Sequence, residues 1–246
     1  MRLKILVILC FILSILPLPL LAQTESPWNG EGELGFLMTS GNSETESLNA
    51  KFDLTYETDR WRHNGRFEAL YSAKEIETDA GESEMETSAE KYLVSGKSGY
   101  KFTENNYAFL TGTYEDDRFS GYDYQTSVSA GYGRRVFKTE RMLLEMEIGP
   151  GYRYNKLDSG GDEEEAILRG YALFTSKLTQ NSSFKQELGV ETGADQTVTK
   201  SVSSVKAQVI GALSMKAAFT LEHTSSVPAD TEKTDTETAL TMVYSF

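Results

Sequence analysis

Apolar and polar residues alternate along nearly the whole chain downstream of residue 28, and no run there repeats with a helical period. In Lys-Phe-Asp-Leu-Thr-Tyr at 51–56, for example, every second residue is apolar. Successive side chains of a strand point to opposite faces, so this pattern predicts strands with one apolar and one polar face. The chain is therefore predicted to be an all-β protein.

The alternating runs predict about twelve strands, joined by two kinds of connection. The strands are expected at residues 30–39, 46–57, 60–72, 87–102, 107–116, 122–136, 141–156, 166–178, 184–194, 198–213, 215–225 and 235–246. Short turns are expected at 58–59, 103–106, 138–140, 179–183 and near 214, and longer acidic loops at 73–86, 117–121, 157–165 and 226–234. Short turns on one side, long loops on the other and an even strand number are typical of an outer-membrane β-barrel. Pro150 alone falls inside a strand, which predicts a bulge there.

A soluble sandwich or barrel would show the same alternation with its apolar face inward, and it stays an alternative. Three features favour a transmembrane antiparallel up-and-down β-barrel of about 12 strands. Aromatic residues flank most short turns, as an interfacial girdle requires. Glycines recur on the polar face, which suits a crowded, curved lumen. The chain also ends on alternating apolar residues and a terminal Phe, a pattern that resembles the signal read by the barrel assembly machinery: Leu240, Met242, Tyr244 and Phe246.

The first 22 residues have the pattern of a secretory signal peptide. Arg2 and Lys4 precede the apolar run 5–16, prolines then interrupt it, and Ala22 offers a small residue for cleavage. A membrane-spanning helix needs about 20 apolar residues, more than this run supplies. We predict a cleaved signal peptide at 1–22 and a barrel domain at 23–246. The expected location is the outer membrane of a Gram-negative bacterium, with membrane lipids and lipopolysaccharide as partners.

Composition excludes several functions. The chain has 24 Lys+Arg against 37 Asp+Glu, a net charge of -13 that argues against a nucleic-acid partner. Two His and one Cys are too few for a zinc site or a disulfide framework, and the acidic loops lack the spacing of a calcium loop. We therefore predict no cofactor, no metal site and no enzyme activity. A remote alternative is a lipid hydrolase, because His223 and Ser225 share a strand face in a way that resembles the outer-membrane phospholipase.

The polar face of the strands is predicted to line the lumen. Its candidate lining residues are Lys51, Asp53, Glu57, Arg62, Arg66, Glu68, Glu145, Glu147, Arg153, Lys185 and Glu187. Small barrels are filled by side chains and large ones leave a channel, so twelve strands lie between the two cases. The sequence thus predicts a passive narrow channel with weak ion selectivity, because charges of both signs are present. A structural barrel with an occluded lumen is the alternative.

Several segments resemble a known family across nearly the whole chain after residue 22. They are Gly41-Asn-Ser43, Leu48–Tyr56, Asp117–Tyr124, Gly131–Arg135, Gly149–Arg153, Lys233–Thr238 and Tyr244-Ser-Phe246. In these the chain is similar to the salt-induced outer membrane proteins (domain of unknown function 481). The resemblance implies an outer-membrane barrel and a role in salt or osmotic stress, but no agreed activity.

Overall fold

The computed structural model describes residues 26–39, 45–77, 83–228 and 231–246. The signal peptide and its cleavage position lie outside these residues. Within the described ranges, no helix is both long enough and apolar enough to cross a membrane. Twelve strands are present: β1 (Trp28–Thr39), β2 (Thr45–Glu57), β3 (Trp61–Glu77), β4 (Ser83–Lys101), β5 (Asn106–Asp117), β6 (Tyr122–Lys138), β7 (Met142–Leu157), β8 (Asp162–Lys177), β9 (Ser182–Thr192), β10 (Thr197–Ile210), β11 (Leu213–Thr224) and β12 (Thr234–Ser245).

Each strand pairs antiparallel with the next one along the chain, and β1 pairs with β12 to close the barrel. This seam runs from Glu31 opposite Ser245 to Leu34 opposite Met242. The predicted fold class and strand number are confirmed. We call the end that carries Trp28, Phe246 and the short turns the turn end, and the opposite end the loop end.

Apolar side chains cover the outside of the barrel. Phe36, Leu110, Ile148 and Leu240 are 55% or more exposed, whereas Glu145 and Glu147 on the inward face are 1% and 4% exposed. This polarity is the reverse of a soluble barrel, where the apolar face turns inward. The structure therefore shows the arrangement of a membrane-type barrel.

Aromatic side chains encircle the barrel at both ends of this apolar surface. At the turn end, Trp28 lies 4.7 Å from Tyr56 and Trp61 lies 5.1 Å from Tyr100, measured between ring centroids. Tyr114, Tyr124 and Tyr154 follow one another near the loop end, with centroids 5.6 and 6.0 Å apart. Amphipathic rings at two levels are typical of the two faces of a bilayer.

Two local predictions are wrong. In the expected loop at 73–86, residues 73–77 and 83–86 are strand, because β3 and β4 pair from Trp61 opposite Tyr100 as far as Glu77 opposite Ser83, and residues 78–82 lie outside the described ranges. The acidic segment 162–165 likewise belongs to β8, where Asp162 pairs with Lys156. Strand ends that project beyond the apolar belt need no apolar residues, so alternation does not mark them.

The predicted bulge at Pro150 is also absent. The register of β6 with β7 is the same before and after Pro150, from Ser129 opposite Gly151 to Tyr132 opposite Ile148. The shifts lie instead near the strand ends, between Tyr122 and Tyr124 and between Arg135 and Phe137.

Candidate functional site

The lumen contains a cavity of about 1010 Å³ that is lined mainly by polar and charged side chains. Most of the predicted lining residues line this cavity: Lys51, Asp53, Arg62, Arg66, Glu68, Arg153, Lys185 and Glu187. Glu57, Glu145 and Glu147 lie on the inward face but outside the cavity wall. The structure thus brings most of the predicted set together in one space.

The cavity reaches both ends of the barrel. Asn29 and Ser183 line it at the turn end, and Phe119 and Asp235 line it at the loop end. Asn29, Ser183 and Asp235 are the second residues of their strands, and Phe119 lies in the loop between β5 and β6. A single polar space therefore follows the barrel along its length.

One wall of the barrel is filled by its own side chains. Tyr107, Phe109 and Ile167 on strands β5 and β8 are buried, as are Glu145 and Glu147 on β7. Tyr107 lies over Gly133, where a Cβ atom would sit 2.3 Å from the ring. The Tyr107 hydroxyl also donates to Glu147 Oε1 at 2.9 Å. This side is therefore packed near the turn end, whereas residues of the same strands nearer the loop end, such as Thr113 and Arg153, line the cavity.

The two buried carboxylates of this wall are fully paired. Arg62 and Arg135 reach Glu145 at 2.9 and 2.8 Å. Glu147 is bridged by Lys97 at 2.8 Å and by Arg169 at 3.0 Å. A buried charge without a partner is very costly, so these groups act as fixed clusters that hold five strands together.

Ion pairs also cross the middle of the lumen. Arg66 on β3 and Glu187 on β9 lie six strands apart in the ring, on opposite walls, and their Nη1 and Oε2 atoms are 3.4 Å apart. The Tyr171 hydroxyl donates to the same carboxylate at 2.7 Å, and Asp53 bridges Arg66 at 2.9 Å. Nearer the loop end, Lys91 lies 3.8 Å from Glu222 across the ring. The bridge from Arg66 to Glu187 narrows the lumen at mid-height, and the contact of Lys91 with Glu222 narrows it nearer the loop end.

The remaining space lies to one side. Small inward side chains line it along β10 to β12: Ser204, Ala218, Thr220, Ala239 and Thr241. These small residues leave space open along β10 to β12, whereas aromatic residues fill the corresponding space on the opposite wall. Near the turn end, where the opposite wall is filled, the passage therefore lies on the β10–β12 side.

Several residues of the lumen were not predicted from the sequence, among them Lys91, Arg169 and Tyr171. Their strand parity marks them as inward, since Lys91 has the parity of Lys97 on β4. Their partners carry no signal in the sequence: Lys91 reaches Glu222 across the ring, whereas Arg169 and Tyr171 bind carboxylates of the neighbouring strands.

The pair proposed for a lipid hydrolase is not assembled. His223 Nδ1 shares a hydrogen bond of 2.8 Å with Thr234 Oγ1, and Ser225 Oγ accepts one of 2.9 Å from the Thr197 amide. A nucleophile needs a base within hydrogen-bonding reach, so this geometry gives the hydrolase alternative no support. Among the described residues, no group of His, Cys, Asp and Glu side chains could hold a metal ion.

Comparison with known proteins agrees with this fold. The model of a family described as a protein of unknown function, DUF481, matches residues 32–246. The chain belongs to the DUF481 family. An uncharacterized protein YdiY from Escherichia coli K12 is 28% identical over 225 residues, which cover 91% of this chain and 85% of YdiY.

Three solved structures share the fold at low sequence identity. The translocator domain of the autotransporter NalP from Neisseria meningitidis has a TM-score of 0.52 at 10% identity, covering 92% of this chain and 90% of that domain. The NanC porin has a TM-score of 0.51 at 7% identity, covering 88% of this chain and 98% of NanC. The COG4313 outer membrane channel from Pseudomonas putida F1 has a TM-score of 0.50 at 12% identity, covering 89% of this chain and 94% of that channel. This DUF481 chain therefore has the fold of outer-membrane β-barrels.

Proposed function

We propose that this DUF481 protein is a narrow passive channel of the bacterial outer membrane that admits water, ions and very small solutes. The observation that carries the proposal is the single polar cavity whose lining reaches both ends of the barrel. A barrel with a purely structural role needs no such space, because side chains can fill a small lumen completely. The channel and the porin among the structures with this fold support the same reading.

The volume of the cavity limits what can pass. Strands of 12 residues tilted as in outer-membrane barrels give a height of about 30 Å, so the mean cross-section is about 30 Å². That area suits small ions in single file. The crossing bridges narrow the path further.

The location and partners form part of the proposal. Membrane lipids and lipopolysaccharide would contact the outward apolar belt, and the assembly machinery would read the end of β12 after removal of residues 1–22. Leu240 and Met242 are 65% and 48% exposed on the outer face of that strand. N-terminal sequencing of protein from purified outer membranes tests both points, since mature protein should begin near Gln23. A role in salt stress would appear as higher protein levels after growth in raised NaCl.

Single-channel recording tests the channel directly. The mature chain, refolded and inserted into planar lipid bilayers, should give discrete current steps that grow with KCl concentration. Insertion should be verified independently by co-flotation with lipid vesicles. Protein that co-floats but gives no steps would contradict the channel and favour the structural barrel, for which the crossing bridge between Arg66 and Glu187 is the supporting observation.

A further inference from the structure

The charges that line the cavity are distributed unevenly along its axis. Towards the loop end, six carboxylates face three basic groups, and we call these nine residues the outer vestibule. They are Glu115, Asp117, Glu191, Glu222, Asp235 and Glu237, with Lys91, Arg153 and Lys200. The sequence showed only that charges of both signs are present. The excess of acid at one end appears once the strands are aligned in the barrel.

All three basic groups of the outer vestibule already have carboxylate partners. Lys91 bridges Glu115 at 2.7 Å and Asp117 at 3.5 Å, and Lys200 bridges Glu222 at 3.0 Å. Arg153 bridges Glu191 at 3.3 Å. No basic group of the vestibule is left over to attract an anion.

Two carboxylates of the vestibule stand outside these pairs. Asp235 and Glu237 form no ion pair with a basic side chain in the part of the chain that the structure describes. Asn49 Nδ2 donates to Glu237 Oε1 at 2.6 Å, which is a neutral contact that leaves the negative charge in place. Both residues line the cavity on β12, beside its open side. Their charge therefore faces the passage.

The rest of the cavity wall has eight basic groups and five carboxylates, and all eight basic groups are held in ion pairs. Every basic side chain that lines it towards the turn end is bridged to a carboxylate: Lys51, Arg62, Arg66, Lys97, Arg169, Lys185, Lys206 and Lys216. Their partners are the five carboxylates of this part of the wall together with the buried Glu145 and Glu147, so eight basic groups face seven carboxylates and the net charge there is small. The unbalanced charge along the passage is therefore the negative charge of the carboxylates in the outer vestibule.

We infer that the channel prefers small cations over anions, and that Asp235 and Glu237 set this preference. The inference rests on the proposed channel and names the class of solute that it favours. A narrow pore with walls of low dielectric constant concentrates counter-ions where fixed charge is unbalanced. The acidic loop-end mouth thus attracts K⁺ or Na⁺ and repels Cl⁻ before the solute reaches the bridges.

Reversal potentials across a KCl gradient test this inference on the refolded mature chain. The wild type should favour K⁺ over Cl⁻ by about threefold, and the preference should fall as salt rises, because the Debye length shrinks from about 10 Å at 0.1 M to about 3 Å at 1 M. In the double variant Asp235→Asn/Glu237→Gln the preference should fall close to unity while conductance persists.

A matched control removes the same charge at the same end but from the outer surface. Asp116 and Glu164 lie on strands β5 and β8 at positions that alternate with the inward ones. The variant Asp116→Asn/Glu164→Gln should keep the cation preference of the wild type. Heat-dependent mobility on gels establishes that both variants are folded barrels.

The possible outcomes separate the two proposals. Loss of preference in the lumen variant alone supports the inference. A wild type that conducts without preference or favours Cl⁻, or a lumen variant that keeps the full preference, overturns the inference and leaves the channel intact. A wild type that inserts but never conducts overturns the channel proposal, and the inference falls with it.

Discussion

At the scale of single residues, glycine decides how closely strands β6 and β7 can approach. A Cβ atom on Gly131 would lie 2.2 Å from the Ile148 carbonyl oxygen and 2.6 Å from Gly149 Cα. These are backbone atoms, which cannot move aside as a flexible side chain can. Gly131 is therefore required by a close approach within the packed wall.

We expect Gly131→Ala to lower the free energy of unfolding by about 2 kcal/mol, because the added methyl group overpacks two backbones. Urea titration of the barrel refolded in detergent measures the change. Gly189→Ala is the control, since it also faces the lumen but its Cβ would meet nothing nearer than 4.0 Å. Equal effects of the two substitutions would show that the close approach does not matter.

Single residues also show which features of the lumen could be predicted from the sequence and which could not. Parity along a strand is a local property, so alternation predicts Lys51, Arg66 and Glu187 on the inner face, and all three line the cavity. The partner of each charge is not local. Arg66 and Glu187 are 121 residues apart, and only closure of the ring brings them together. Pairing across the lumen and the location of the open passage therefore had no signal in the sequence.

At the scale of elements, the seam between β1 and β12 depends on the last residue of the chain. Gly30 and Phe246 exchange two backbone hydrogen bonds of 2.9 Å each. The Phe246 ring covers the position that a Gly30 side chain would occupy, and it stacks on Phe52 at 6.3 Å between centroids. The regular register of the seam covers only the four pairs from Glu31 to Leu34. The contacts of Phe246 therefore lengthen a short interface between β1 and β12.

We expect Phe246→Ala to destabilise the refolded barrel by about 1–2 kcal/mol, because the ring contacts at the seam are lost. Deletion of Phe246 should cost about 1 kcal/mol more for each of the two backbone bonds. Phe219→Ala is the control, since Phe219 is equally exposed at 46% but lies away from the seam. The temperature at which the folded band disappears on gels ranks the variants, and a control that loses as much as Phe246→Ala would contradict the assignment.

A substitution at the end of β12 can also distinguish an effect on stability from an effect on assembly into the membrane. If the assembly machinery reads Phe246, the variant Phe246→Ala should accumulate less in outer membranes than its refolded stability explains. A stability-matched variant such as Gly131→Ala provides the comparison in cells. Immunoblots of outer-membrane fractions, set against unfolding temperatures of the same proteins, measure the difference. Equal amounts of the two variants in the membrane would contradict a role of Phe246 in recognition.

At the scale of the whole molecule, the barrel divides its interior into a packed wall, a crossing bridge and an open side. The packed wall contributes stability through clusters around Glu145 and Glu147, where one carboxylate serves two basic groups. The bridge from Arg66 to Glu187 ties this arrangement to the opposite wall. The lumen of the twelve-strand ring is thereby narrower than the strand number alone would make it.

Breaking the crossing bridge should widen the passage. We expect Arg66→Gln and Glu187→Gln each to raise single-channel conductance by roughly twofold, because the shorter reach or lost charge withdraws a side chain from the centre of the lumen. Lys51→Gln is the matched control: its partner Glu68, at 2.7 Å, lies on the neighbouring strand of the same wall, so loss of this pair clears no space in the centre. Arg66→Lys should fall between wild type and Arg66→Gln, since Lys keeps the charge without the planar fork that contacts Asp53 and Glu187 together. Unchanged conductance in both Gln variants, with folded barrels, would mean that ions pass entirely beside the bridge and that the bridge has only a structural role.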